Sequence, residues 1–232
     1  MAEPVAIVTG AGRGIGRAVA VELARRGYRL ALVSRTDTEL QQTARTCGGG
    51  DVHVGDVGDP AAVDQVVEQV LRKLGRVDAL VNCAGAVFMR SVEQLTLDEW
   101  RQTLDTNLGS VFYFCRRLWP AWRRQGGGVV VNVSSYAARD PFEGLGAYGA
   151  AKAGVNLLSL ALAREGAAIG VRVHTVAPAA TETAMFRSLL TPQQFPSERT
   201  LDPAAVARVI VQCVCGDLEC TSGEIIHVHK SV

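Results

Sequence analysis

Tyr148 and Lys152 stand four residues apart in a glycine- and alanine-rich stretch, Gly144-Leu145-Gly146-Ala147-Tyr148-Gly149-Ala150-Ala151-Lys152-Ala153-Gly154. On a helix that spacing puts a phenol and an ammonium on one face. A free tyrosine titrates near ~10, and a neighbouring cation favours its phenolate. The pair is therefore expected to give and take a proton near neutral pH. The competing reading is a half-buried aromatic residue beside a solvated lysine, because such a spacing recurs by chance. Which reading holds depends on what the fold brings to that helix face.

A second stretch suited to chemistry lies near the N-terminus. Gly10-Ala11-Gly12-Arg13-Gly14-Ile15-Gly16 follows the apolar, β-branched run Val5-Ala6-Ile7-Val8-Thr9. A helical pattern over 17–26 comes next, with Val19, Ala20, Leu23 and Ala24 apolar and Gly27 as its stop. Strand, glycine-rich turn and helix form the first unit of a dinucleotide fold, in which a pyrophosphate rests at the positive helix end. The useful glycines are Gly10, Gly14 and Gly16. Their spacing is T-G-x-x-x-G-x-G rather than the more common G-x-G-x-x-G.

The second strand is expected over 29–34 and ends in Ser34-Arg35. An acidic residue at this point would take the ribose hydroxyls of NAD(H). Here Arg35 follows Ser34, and Arg13 projects from the glycine loop toward the same region. Two cations without a carboxylate favour NADP(H) over NAD(H).

The remaining pattern must carry these groups. A short helix is expected over 37–45, a strand over 51–55 and a helix over 60–74 with Pro60 at its first position. His53 reads as a structural strand residue. Strands follow at 77–82, 129–133, 171–176 and 225–228. One helical region opens after Thr96, with Asp98 and Glu99 in its first turn, and the Tyr148 helix runs to about Ala168. Asn107 sits in an apolar pattern, so its amide must be satisfied or used. Buried-type strands alternating with helices predict a single doubly wound α/β domain over 1–232. Its sheet is expected to have seven, mostly parallel strands, with helices on both faces. Ligands bind such sheets at the carboxyl ends of the strands.

Composition narrows the partners. The chain has 232 residues, 48% hydrophobic and 20% charged, with a net charge of +1. That balance points to neither nucleic acid nor an anionic membrane. The N-terminus shows no basic segment followed by a signal-type apolar run, so a cytoplasmic protein is expected. The six cysteines are expected to be reduced and mostly buried. Cys213, Cys215 and Cys220 precede His227 and His229, but their spacing is not that of a zinc site, and no metal is expected.

Thr9-Gly10-Ala11-Gly12-Arg13-Gly14-Ile15-Gly16, Asp56, Asn82-Cys83-Ala84-Gly85, Asn107, Ser135, Tyr148-x-x-x-Lys152 and the Pro178 to Thr183 stretch share one order and spacing. In these the chain resembles the short-chain dehydrogenase/reductase family, over about 5–228. It is similar to the compact NADPH-dependent carbonyl and 3-oxoacyl reductases of that family. The resemblance implies a Rossmann-type fold and reduction of a carbonyl to an alcohol by hydride transfer. It implies Tyr148 as general acid/base and Lys152 as the residue that lowers its pKa and holds the nicotinamide ribose. Ser135 would hold the substrate oxygen, and Asn107 would position a water. Asp56 and Val57 would contact the adenine. Asn82, Ala84 and Gly85 would line the cofactor, with Pro178 and Thr183 near the nicotinamide.

Three departures from the family pattern stand out. Cys83 replaces a second asparagine and is expected to lose an amide that helps hold the sheet. Ala179 replaces a glycine and would be strained at positive φ. The seventh strand ends His227-Val228-His229-Lys230 in place of Asp-Gly-Gly. A segment over 179–202 is expected to cover the substrate, with Met185, Phe186, Leu189, Leu190 and Phe195 as apolar lining. Arg139, Glu143 and Arg187 are the charged candidates for binding a polar tail. A homodimer or homotetramer is implied, and Trp119, Trp122, Leu157, Leu158 and Leu160 suit its contacts. Two alternatives stand beside reduction: an alcohol or polyol dehydrogenase working oxidatively, and a non-catalytic NADP(H)-binding regulator.

Overall fold

The computed structural model describes residues 3–230; the ends of the chain, 1–2 and 231–232, lie outside the described residues. Seven strands form one sheet in the order β3-β2-β1-β4-β5-β6-β7. They are β1 (Val5–Thr9), β2 (Arg29–Ser34), β3 (Asp51–Val54), β4 (Ala79–Asn82), β5 (Gly128–Val133), β6 (Val171–Pro178) and β7 (Ile225–Val228). Every pairing is parallel, so the sheet is wholly rather than mostly parallel.

The strand sequences explain the layering. Side chains alternate faces along a strand. Ala6 and Val8 of β1, with Val129, Val131 and Val133 of β5, pack into one core with Val19, Leu23, Val206 and Ile210. Val5 and Ile7, with Val130, pack into the other with Val67, Phe114, Leu118 and Trp122. Helices α1 (Gly14–Arg25) and α8 (Pro203–Cys215) cover the first face; α3 (Pro60–Leu74), α5 (Ser110–Gln125) and α6 (Gly146–Ala167) cover the second. The central strands β1, β4 and β5 are buried on both faces, so they read as largely apolar runs instead of alternating. Burying one valine this way is worth about 1.5–3 kcal/mol.

Most helix boundaries follow their caps. Asp59 accepts from the Ala61 N–H at 2.9 Å ahead of Pro60 in α3. Thr96 and Glu99 form a reciprocal capping box at the start of α4 (Leu97–Leu104). Helix α2 (Asp37–Thr46) runs one residue past its expected end. Helix α1 begins at Gly14, inside the glycine loop, three residues before the expected start. The region after Thr96 is not one α-helix: a π-helical turn over Asp105–Gly109 separates α4 from α5, and Asn107 lies in it. Helix α8 is absent from the elements expected from sequence. Yet Asp202-Pro203 repeats the cap of α3, and Asp202 accepts from the Ala204 N–H at 2.8 Å. Its apolar residues Val206, Ile210 and Val214 then recur at a spacing of four.

The cysteines spread over several elements. Cys115 and Cys213 are buried, Cys47, Cys83 and Cys215 are half-buried, and Cys220 is exposed. Burial is thus less general than expected. Among the described residues no group of three or more His, Cys, Asp or Glu side chains could hold a metal. No helix among them is long and apolar enough to cross a membrane.

Candidate active site

The carboxyl ends of β1, β2, β3, β4, β5 and β6 open onto a cavity of about 720 Å³. Gly10, Gly12, Arg13, Gly14, Ile15 and Gly16 line it from the first loop, and Ser34, Arg35, Asp56 and Val57 from the next two strand exits. Ala84 and Gly85 line it after β4, Ser135, Tyr148 and Lys152 after β5, and Pro178 and Thr183 after β6. These groups are up to about 170 residues apart in the chain. A parallel sheet gathers them because all its strands point the same way.

The glycine loop is built for close approach. A Cβ on Gly16 would meet Gly10 O at 2.3 Å, and Gly10 itself sits at φ 65°. Helix α1 starts beneath this loop with no side-chain cap and no acidic residue in its first turn. By contrast, aspartates cap α3 and α8. The first N–H groups of α1 therefore face the cavity with a positive partial charge, which suits an anion. A dinucleotide pyrophosphate fits that place.

Two of the expected site residues do not line the cavity. Asn82 lies beneath it, its side-chain N–H donating to Asn132 Oδ1 at 2.8 Å; Asn132 in turn donates to Ser159 Oγ at 2.9 Å. These residues are opposite each other in the β4–β5 register, so the chain of bonds ties both strands to α6. The amide that holds the sheet is therefore intact, and Cys83 does not remove it. The backbone N–H groups of Cys83 and Ala84 both reach Thr9 Oγ1, at 3.0 and 3.1 Å. Asn107 donates to Ala86 O at 2.7 Å and to Thr103 O at 2.8 Å. Its carboxamide ties the loop after β4 to the π-turn, which is a strut's position rather than a cavity wall.

The proton-transfer group differs electrostatically from the sequence expectation. Burial pushes the Tyr148 phenol up to about 12, against a lowering effect from the Ser135 hydroxyl. Burial pulls the Lys152 ammonium down to about 8, opposed by Cys83. Lys152 is 4% exposed and donates to Val133 O at 2.8 Å, with its Nζ 5.7 Å from the Tyr148 ring centre. The lysine does sit beside the tyrosine, but burial sets the direction of the phenol's shift and keeps it protonated at neutral pH. Ser135 caps a 3₁₀ turn, accepting from the Ala137 N–H at 3.1 Å, and faces the same cavity.

The 179–202 segment forms the far wall. Met185, Phe186, Leu189, Leu190 and Phe195 line the cavity as expected. Phe195 meets Phe186 and Phe142 edge-on, with ring centres 5.2 and 6.5 Å apart. Arg187, a candidate for a polar tail, is already engaged. It forms a bidentate pair with Glu182 at 2.6 and 2.5 Å and donates to Phe195 O at 2.7 Å. Arg139 and Glu143 do not line the cavity. Ala179 carries no strain, since no non-glycine residue among those described has positive φ. The unusual chain end closes on this wall: Lys230 Nζ donates to Glu198 O, and His227 packs edge-on to Tyr136 at 6.1 Å. Glu39 also lines the cavity beside Arg13 and Arg35, so those two cations do not stand without a carboxylate as the sequence reading holds. It stands four residues after Arg35, in the first turn of α2, a place that by itself did not reveal its contact with Arg13.

The family model described as short chain dehydrogenase matches residues 4–194. The chain belongs to the short-chain dehydrogenase/reductase family. It is 40% identical over 182 residues to the 2,3-dihydro-2,3-dihydroxybenzoate dehydrogenase of Escherichia coli (strain K12), covering 78% of this chain and 71% of that one. It is 33% identical to the 3-oxoacyl-[acyl-carrier-protein] reductase FabG of the same strain, covering 97% of this chain and 95% of that one. The crystal structure of levodione reductase superposes with a TM-score of 0.91 at 28% identity, covering 99% of this chain and 97% of that one. As a short-chain dehydrogenase/reductase, the protein is an oxidoreductase of CH–OH and C=O groups that binds a nicotinamide cofactor.

Proposed function

We propose that this short-chain dehydrogenase/reductase reduces a ring-bearing, largely apolar ketone to an alcohol, with NADP(H) preferred over NAD(H). The observation that carries the reading is the convergence of Tyr148, Lys152 and Ser135 with the glycine loop on one cavity. The nicotinamide cofactor, when bound, supplies the hydride. The Ser135 hydroxyl holds the carbonyl oxygen, and the Tyr148 phenol donates the proton as negative charge grows on that oxygen. Lys152, charged below about 8, stabilises the phenolate that remains. The residue left without its proton is thus the one nearest a buried cation. Asn107 and Asn82 act beneath the site by holding the β4 loop and the β4–β5 edge in place.

The aromatic wall of Phe142, Phe186 and Phe195 supports a ring-bearing substrate. One relative carries a ring compound, a dihydrodihydroxybenzoate, in its name. Arg13 and Arg35 at the opposite end support a 2′-phosphate. The test is an NADPH-consumption screen across cyclic ketones, 3-oxoacyl thioesters, quinones and sugars, repeated with Tyr148→Phe. A cyclic ketone is expected to give the highest kcat/KM. Tyr148→Phe should lower turnover by about 10²–10⁴-fold while NADPH still binds in a fluorescence titration. Retained turnover in that variant removes Tyr148 from its role.

A further inference from the structure

Glu39 sits in the first turn of α2 and lines the cavity beside Gly12, Arg13, Ser34 and Arg35. A Cβ placed on Gly12 would lie 2.9 Å from Glu39 Oε2 and 3.1 Å from Ser34 Oγ. The carboxylate therefore rests directly against the glycine loop. Arg13 Nη1 is 3.6 Å from Glu39 Oε1, and the two side chains are 60% and 33% exposed. A pair that open to water is weak and yields readily to a stronger anion.

The placement of the carboxylate is enforced from below. Glu39 and Thr43 share one face of α2 at i, i+4. Thr43 is fully buried; its hydroxyl donates to Ala11 O at 3.0 Å and accepts from Arg17 Nε at 3.0 Å. Arg17 also donates to Gly12 O. These bonds pin α2 to the glycine loop and hold the face carrying Glu39 over Gly12. A 2′-phosphate drawn to Arg13 and Arg35 must displace this carboxylate from Arg13 and then lie beside a like charge. Ribose hydroxyls, as donors, meet an acceptor there instead.

We propose that Glu39 sets the discrimination between cofactors: its charge weakens NADP(H), supports NAD(H), and leaves an enzyme that uses both with NADP(H) ahead by a small margin. This rests on the reading that places the adenosine end of the cofactor beside Arg13 and Arg35. The test is equilibrium fluorescence titration of the full chain, Glu39→Gln and Arg35→Ala with NADPH, NADH and the fragment adenosine 2′,5′-bisphosphate. Glu39→Gln is expected to tighten NADPH and the fragment about ten-fold and to leave NADH equal or weaker. The gain should shrink as salt is added, as for any partly exposed charge. An unchanged NADPH-to-NADH affinity ratio overturns the proposal. So does weaker NADPH binding, since Glu39 would then serve the phosphate by aiming Arg13. Loss of NADPH affinity in Arg35→Ala alone, with none of the expected shift in Glu39→Gln, overturns only this inference. No change in either variant overturns the placement of the adenosine end as well.

Discussion

Lys152 carries its charge into a place where charge is costly. Burial lowers its pKa from 10.5 to about 8, so at neutral pH the folded chain still holds an ammonium that water would solvate better. The unfolded chain binds this proton more tightly. Stability therefore rises as pH increases from about 8 toward 10.5, where only the unfolded state still holds the proton. Lys152→Met removes the charge and keeps the length. We predict that it abolishes turnover yet raises the Tm at pH 7 by about 2–4 °C, roughly what 1 kcal/mol gives a chain of this size. The gap should close by about pH 10.5. Thermal melts across that range check this, and a lower Tm at pH 7 would mean that the bond to Val133 O outweighs the desolvation. In the same range, kcat/KM for reduction is expected to fall as pH rises through about 8, because the phenolate left on Tyr148 loses its cation.

The apolar wall of the cavity is held by one ion pair in the loop after β6. Arg187 bonds Glu182 through two nitrogens and also reaches Phe195 O and Ser197 Oγ. Thr200 donates to the same carboxylate at 2.9 Å. Arg187 first, and Thr200 next, hold the Glu182 carboxyl down to about 2. The clamp is thus in full force above about 4.5 and is lost only as pH falls through about 2. It fixes helix α7 (Ala184–Arg187) and the chain to Thr200, and with them Phe186 and Phe195. Glu182→Gln should leave the fold intact and loosen this wall. We predict a KM for the carbonyl substrate raised about ten-fold, with kcat changed far less. Limited proteolysis within 186–199 should quicken in parallel. An unchanged KM would make the clamp structural only.

Three of the exposed large apolar side chains lie together on helices away from the cavity. Trp100 on α4, Phe112 on α5 and Leu157 on α6 are 39%, 48% and 71% exposed, and these three helices meet at the π-turn. Trp122, by contrast, is wholly buried and donates its indole N–H to Val77 O at 2.9 Å; it belongs to the core and offers nothing to a partner. We propose these exposed side chains on adjoining helices as the contact for a second copy. We predict that Leu157→Arg combined with Phe112→Arg yields a monomer by size-exclusion chromatography with light scattering. An assembly that survives both changes must use another face.

The sequence by itself determined what local physics controls. Val5–Thr9 and Val129 to Val133 could only be strands buried on both faces. Asp59-Pro60 could only open a helix, and glycines at 10, 14 and 16 required a tight phosphate-sized turn. From these the parallel sheet and most of the cavity wall were legible. Helix α8 carried the same Asp-Pro signal and was readable by the same rule. What only the tertiary structure decided depends on groups that meet across long stretches of chain. Asn82 finds Asn132 fifty positions away, and that contact ties β4 to β5. Asn107 likewise ties the Ala86 loop to the π-turn. Spacing put Lys152 beside Tyr148, but only the tertiary structure buries the phenol, which raises its pKa and keeps it protonated. Glu39 reaches Arg13 because Thr43 and Arg17 fasten α2 to the glycine loop. No pattern in residues 35–45 alone carries that contact.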